Sequence, residues 1–149
     1  MTDEITEIVR RDPEEIWTKG NLDAIDETFA EEFVLHDPSS DNTPLGRDEY
    51  REYVESYREA FPDMEYTVEA MIADGETVAL RYTARGTHEG AFLGVEPTGE
   101  RVEVSGMEMY RVEADEIVEM WTSYDALGLF QELGVIPSLE DLSEGLSRN

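Results

Sequence analysis

Two periodicities divide the chain. Up to residue 62 apolar positions recur at steps of three and four, and from residue 64 they alternate. Ile5, Ile8, Val9, Ile16 and Trp17 form a helical stripe over residues 5–19. Pro13 interrupts it, because proline lacks the N–H that would pair with the carbonyl of Val9. Asp12 before Pro13, with Glu15 beyond, also reads as a cap, a first-turn proline and a capping-box acid. The segment is therefore a kinked helix or two pieces, the second starting at Pro13. In NLDAIDETFA, Asn21 caps a short helix whose one side carries Leu22, Ile25 and Phe29. EFVLHD predicts a brief strand and PSSDNTPLG a loop. RDEYREYVESYREAFP predicts a third helix with Tyr50, Tyr53, Val54, Tyr57 and Phe61 on one face, packing on a sheet.

The later segments MEYTVEAMIAD, TVALRYTARGTH, RVEVSGMEMYRV and EIVEMWTSYD read as four strands. Gly75 and the EADE turn suit tight hairpins, whereas EGAFLGVEPTGE is a wider loop. A helix over 126–133 closes the domain, and the tail over 137–149 is expected to be loosely ordered. Helices first and an antiparallel sheet afterwards define an α+β protein with helices on one sheet face. At 149 residues the chain is one domain, 1–149, large enough for a substantial core.

Charge narrows the function. Asp and Glu number 37 against 11 basic residues, a formal net charge of −26. Of the basic residues only Lys19 is a lysine. That balance predicts adaptation to molar salt, where a Debye length of about 3 Å screens self-repulsion. It also argues against nucleic acid, since no basic stripe could follow a phosphate backbone. Without cysteine there is no thiolate chemistry. No run of 18 apolar residues occurs, and MTDEITEIVRRDPEE is too acidic for a signal peptide. A soluble, cytoplasmic protein off the membrane is the expectation.

Several segments then carry a resemblance. WTKGNLDAIDETFAEEFVLHDP, REAFPDMEYTVE, VALRYTARGTHEGAFLGVEPTGERVEV, EMYRVEADEIVEMW and DALGLFQELG occur in this order over nearly the whole chain. Together they resemble the SnoaL-like polyketide cyclases of the NTF2-like, or cystatin-like, superfamily. The resemblance implies a conical barrel, in which a curved antiparallel sheet wraps around N-terminal helices with a short C-terminal helix. It implies a mostly apolar cone that takes a small apolar molecule, no cofactor, and a homodimer formed through the outer sheet face. In the aromatic polyketide cyclases an aspartate serves as general acid/base in an intramolecular aldol closure. Because the superfold hosts many chemistries, an epoxide or ester hydrolase and a non-catalytic binding protein stand as alternatives.

The family position that best matches this aspartate is Asp125. Asp is also a preferred helix cap, and a helix follows. The two roles conflict, since capping lowers a carboxyl pKa and a proton donor needs it raised by burial. Strand alternation places Glu119, Trp121, Ser123 and Asp125 on one face. His88 and His36, the only histidines, match positions the family often keeps, and either could polarise a carbonyl or share a proton with Asp125. Their spacing fits no metal motif, so no metal is expected. Arg81 lies mid-strand between Leu80 and Tyr82, where a surface salt bridge is the ordinary reading; the resemblance implies instead an inward guanidinium that pairs with a buried acid or holds a substrate oxygen. Trp17 and Trp121 are expected in the core and then as pocket wall. The sequence thus points to a cyclase- or isomerase-type enzyme with Asp125 and His88 catalytic, and His36, Arg81, Trp121 and Trp17 binding substrate.

Overall fold

A computed structural model describes residues 2–39, 44–137, 140 and 143–145. The expected loose tail falls largely outside the described residues. The elements are α1 (Thr2–Arg11), a π-helical segment (Asp12–Thr18), α2 (Asp23–Thr28), β1 (Phe29–His36), α3 (Arg47–Ala60), β2 (Glu65–Asp74), β3 (Thr77–Thr87), β4 (Arg101–Glu113), β5 (Glu116–Tyr124) and α4 (Ala126–Glu132). One five-stranded sheet runs in the order β1-β5-β4-β3-β2. The four later strands pair antiparallel, and β1 joins the edge of β5 in parallel.

Turn chemistry fixes the hairpins. Ala114 and Asp115 adopt φ of 50° and 65°, and Gly75 adopts 60°, values that bring the right-twisted strands back on themselves. Bulges interrupt the ladder between Val68 and Ala70 and between Arg111 and Val112. Each adds local bend, so the sheet curls around the helices. One face is closed by Val9, Ile16, Ile25, Phe29, Phe33, Leu35, Tyr50 and Val54 against Val78, Leu80, Tyr110 and Ile117 from the strands.

Pro13 does not split the first helix. The chain continues from α1 directly into the wider π turn, which absorbs the missing N–H that would have broken an α-helix. Asp12 consequently is not a cap. It sits on the same stripe as Ile5, Ile8, Val9 and Ile16 and is completely buried. Arg58 helps hold the end of this segment, donating from Nη1 to the carbonyls of Trp17 and Thr18.

Candidate active site

The strands bury their even-numbered positions along β3 and β4. On β4 these are Val102, Val104, Gly106, Glu108, Tyr110 and Val112, so one carboxyl interrupts an otherwise apolar row. Between this face, the π-helical segment, α3 and α4 lies a narrow cavity. It offers about 50 Å³ to the centres of water molecules, where one ordered water needs roughly 10–15 Å³.

Aromatic rings build much of its wall. Trp17 stacks on Tyr66 at 5.2 Å, and Tyr66 stacks on Tyr82 at 4.7 Å. Tyr53 and Tyr57, from α3, meet Trp17 edge-on at 5.9 and 5.8 Å. The Tyr82 ring crosses over Gly106 on the next strand. A Cβ at that position would stand 2.5 Å from the Tyr82 hydroxyl, so only glycine leaves room for the ring. Tyr53 and Tyr57, read from sequence as packing residues alone, therefore face the cavity as well.

The polar groups are few. Glu108 is the one carboxyl among the described residues that line the cavity, and it is only 5% exposed. Thr122 lies directly across the β4–β5 ladder and donates to Glu108 Oε2 at 3.3 Å. Behind Glu108, Tyr110 Oη stands 3.0 Å from Glu108 Oε1 and 2.6 Å from Asp12 Oδ2. Tyr50 donates to Asp12 Oδ1 at 2.6 Å and accepts from Trp17 Nε1 at 2.9 Å. Toward the loop after β1, Tyr53 donates to Asp37 Oδ2 at 2.8 Å, and the Tyr57 and Tyr124 hydroxyls pair at 2.7 Å.

Burial sets the protonation of the two acids. Removal from water raises Asp12 to about 6, although hydrogen bonds from Tyr110 and Tyr50 work in the opposite direction. Burial raises Glu108 well above the usual carboxylate range, and the neighbouring charge of Asp12 raises it further. Of the two, Glu108 is raised the more strongly, because the hydrogen bonds to Asp12 are the shorter.

The residues singled out from the sequence are distributed differently. Asp125 is exposed and caps α4, its Oδ1 accepting from Gly128 N–H at 2.9 Å, and it does not line the cavity. The expectation of an enclosed Asp125 is corrected: the strand ends one residue earlier, and the side chain turns back onto the helix it starts. His88 is buried against Phe61, and its Nδ1 accepts from Thr98 N–H at 3.1 Å. Its Nε2 has no partner among the described residues, and the ring does not line the cavity.

Arg81 points outward, between the buried Leu80 and Tyr82, which corrects the inward guanidinium expected from resemblance. Trp121 also faces out, 39% exposed, stacked at 5.5 Å on His36. His36 in turn bonds Glu119 at 2.7 Å. The parity that grouped Glu119, Trp121 and Ser123 is right, but their face is the outer one. His36, Arg81 and Trp121 come together there, along an open trough of about 750 Å³. Trp17 alone of the six lines the inner cavity.

Glu108 and Asp12 were missed, yet each carries a readable mark. Glu108 breaks an alternating apolar row, and Asp12 lies four residues before Ile16 and three after Val9 on a helical stripe. An acid on an apolar face requires a partner, which neither motif nor resemblance had supplied.

A bent sheet closed over helices, with an aromatic-walled cavity and a buried acid, defines a conical α+β barrel of the NTF2-like kind. Residues 7–133 match the model of the SnoaL-like polyketide cyclase family, and the chain belongs to it. IdmH of Streptomyces antibioticus, described as a proposed polyketide cyclase, is 33% identical, with 88% of this chain and 99% of that one covered and a TM-score of 0.78. A proposed polyketide cyclase of Acidithiobacillus ferrooxidans is 30% identical over 88% and 94% of the two chains, with a TM-score of 0.79. AclR of Streptomyces galilaeus, a proposed hydroxylase, is 27% identical over 93% and 89%, with a TM-score of 0.82. No curated protein matches.

Proposed function

We propose that the protein is a cofactor-independent enzyme that moves protons next to the carbonyl of a small, largely apolar compound, as in cyclisation or isomerisation. Glu108 is its acid/base group, taking the role that resemblance assigned to Asp125. The observation that carries this reading is a carboxyl, buried and raised in pKa, facing an aromatic-walled cavity. A carboxylic acid that stays protonated at neutral pH can donate to a carbonyl oxygen, and such general acid–base catalysis contributes about 10²–10⁴-fold. The cavity's aromatic walls and small volume favour a compact apolar ligand. The paired hydroxyls of Tyr57 and Tyr124, on residues that line the cavity, leave one hydrogen to offer a ligand oxygen.

Exchange of α-hydrogens for deuterium tests the reaction class without knowledge of the natural substrate. A panel of small alicyclic and aromatic ketones in D₂O would be followed by proton NMR, with wild type and Glu108→Gln compared. The wild type is expected to exchange at least one ketone faster than buffer, and the variant to lose about 10²-fold or more. Equal rates in the two proteins would reduce the cavity to a container.

The outer sheet face supports a homodimer. Ile72, Ala79, Met109, Trp121 and His36 are register neighbours in succession across all five strands. Within that row Ile72 is 73% exposed, and Met107 beside it 62%. A contiguous apolar row of this kind is covered in a stable protein, and a second copy meeting it about a two-fold axis is the simplest cover.

A further inference from the structure

The hydrogens in the buried network behind Glu108 can be counted. Trp17 Nε1 can only donate, and it does so to Tyr50 Oη. The single Tyr50 hydrogen then serves Asp12 Oδ1. Tyr110 also has one hydrogen, yet its oxygen lies 2.6 Å from Asp12 Oδ2 and 3.0 Å from Glu108 Oε1. One hydrogen cannot fill both contacts. With both acids ionised, two oxygens would face each other bare, between groups that are buried from solvent.

A single added proton resolves this, and there are two ways to place it. On Glu108 it is donated to Tyr110 Oη, whose own hydrogen goes to Asp12. On Asp12 it is donated to Tyr110 Oη, whose hydrogen goes to Glu108. The forms interconvert when the Glu108 hydrogen passes to the phenol oxygen as the phenol hydrogen passes to Asp12 Oδ2. Net charge does not change.

We propose that Asp12, Tyr110 and Glu108 hold one proton in common, and that its passage through the Tyr110 hydroxyl sets whether Glu108 meets the cavity as an acid or as a base. The inference rests on the reading that Glu108 acts in this cavity. In the first form, Glu108 gives its proton to a carbonyl oxygen. In the second, its carboxylate takes the α-hydrogen of a ketone; the C–H electron pair becomes the carbon–carbon double bond, the carbonyl π pair moves to oxygen as an enolate, and the pair of acids then holds two protons. Asp12 and Tyr110 do not line the cavity and are positioning residues. The other groups bearing on Glu108 are Thr122 from β5, Tyr82 from β3, Tyr66 from β2, Tyr50 from α3 and the carboxyl of Asp37 beyond β1; among the described residues the cation lining the same cavity is Arg85 of β3, which pairs with Glu103 at 3.3 Å.

Infrared spectroscopy tests this on the whole wild-type protein at about pH 8, where exposed carboxyls are ionised and a protonated C=O stretch reports only buried acids. Samples carrying ¹³C-carboxyl glutamate or ¹³C-carboxyl aspartate are compared. The expected result is one protonated band, most of which moves with the glutamate label and a minor part with the aspartate label. In Asp12→Asn the band is expected to vanish, because the amide NH₂ donates to Tyr110 and frees the phenol hydrogen for an ionised Glu108. A band that moves with the glutamate label alone and survives in Asp12→Asn would overturn the shared proton while leaving Glu108 a buried acid. Absence of any protonated band in the wild type would also overturn it, and ketone exchange in Glu108→Gln would still judge the catalytic reading separately.

Discussion

Asp12 makes the fold sensitive to pH in a calculable direction. Its carboxyl is wholly buried, and burial lifts it from 3.8 to about 6. A rise of about two units corresponds to about 3 kcal/mol between the protonation states. The folded value lies above the unfolded one, so the folded state holds this proton longer. The contribution is complete below the unfolded value and is lost as pH climbs through about 6. Urea unfolding followed by tryptophan fluorescence, between about pH 4 and pH 7, measures it. Molar KCl would suppress the self-repulsion of the remaining acids. Glu108→Gln in both proteins keeps the Glu108 proton out of the comparison, and adding Asp12→Asn removes the titration and supplies the baseline. The Glu108→Gln protein is expected to lose about 2.5 kcal/mol more than the double variant over this range. Parallel curves would refute a buried, titrating Asp12.

Asp125→Ala should cost about 1 kcal/mol of stability, as loss of a helix cap does, and leave ketone exchange unchanged. A fall in exchange matching that of Glu108→Gln would return the catalytic role to Asp125. Trp121→Glu places a charge in the middle of the outer apolar row, and light scattering should show a dimeric wild type and a monomeric variant; a monomeric wild type would refute the interface. With a net charge of −26, the thermal midpoint should rise as KCl shortens the Debye length from about 10 Å at 0.1 M to about 3 Å at 1 M. A flat or falling midpoint would contradict salt adaptation.

The periodicities along the chain exposed the helices, the strands and the hairpin turns, because each is a local property of residues a few positions apart. Strand parity was legible too: Glu119, Trp121 and Ser123 do share a face. Which face is inner was not, since β5 carries large apolar groups on both sides, with Met120 inward and Trp121 outward. Arg81 was misplaced by resemblance, although the burial-prone Leu80 and Tyr82 on either side already left it the outer face. The parallel pairing of β1 with β5 depends on a crossover that no local pattern encodes. The site was hidden for the same reason. Asp12 and Tyr110 meet across 98 residues of sequence, and only packing brings them together. The sequence does show two acids on apolar faces, and that contradiction of ordinary patterning was the available clue.

Neutron diffraction from crystals grown in D₂O near neutrality would locate the hydrogens of the Glu108–Tyr110–Asp12 chain directly. Deuterium density is expected on the Glu108 carboxyl, directed at Tyr110 Oη, with the phenol deuterium directed at Asp12. A bare Glu108 carboxylate beside an equally bare Asp12 would contradict it.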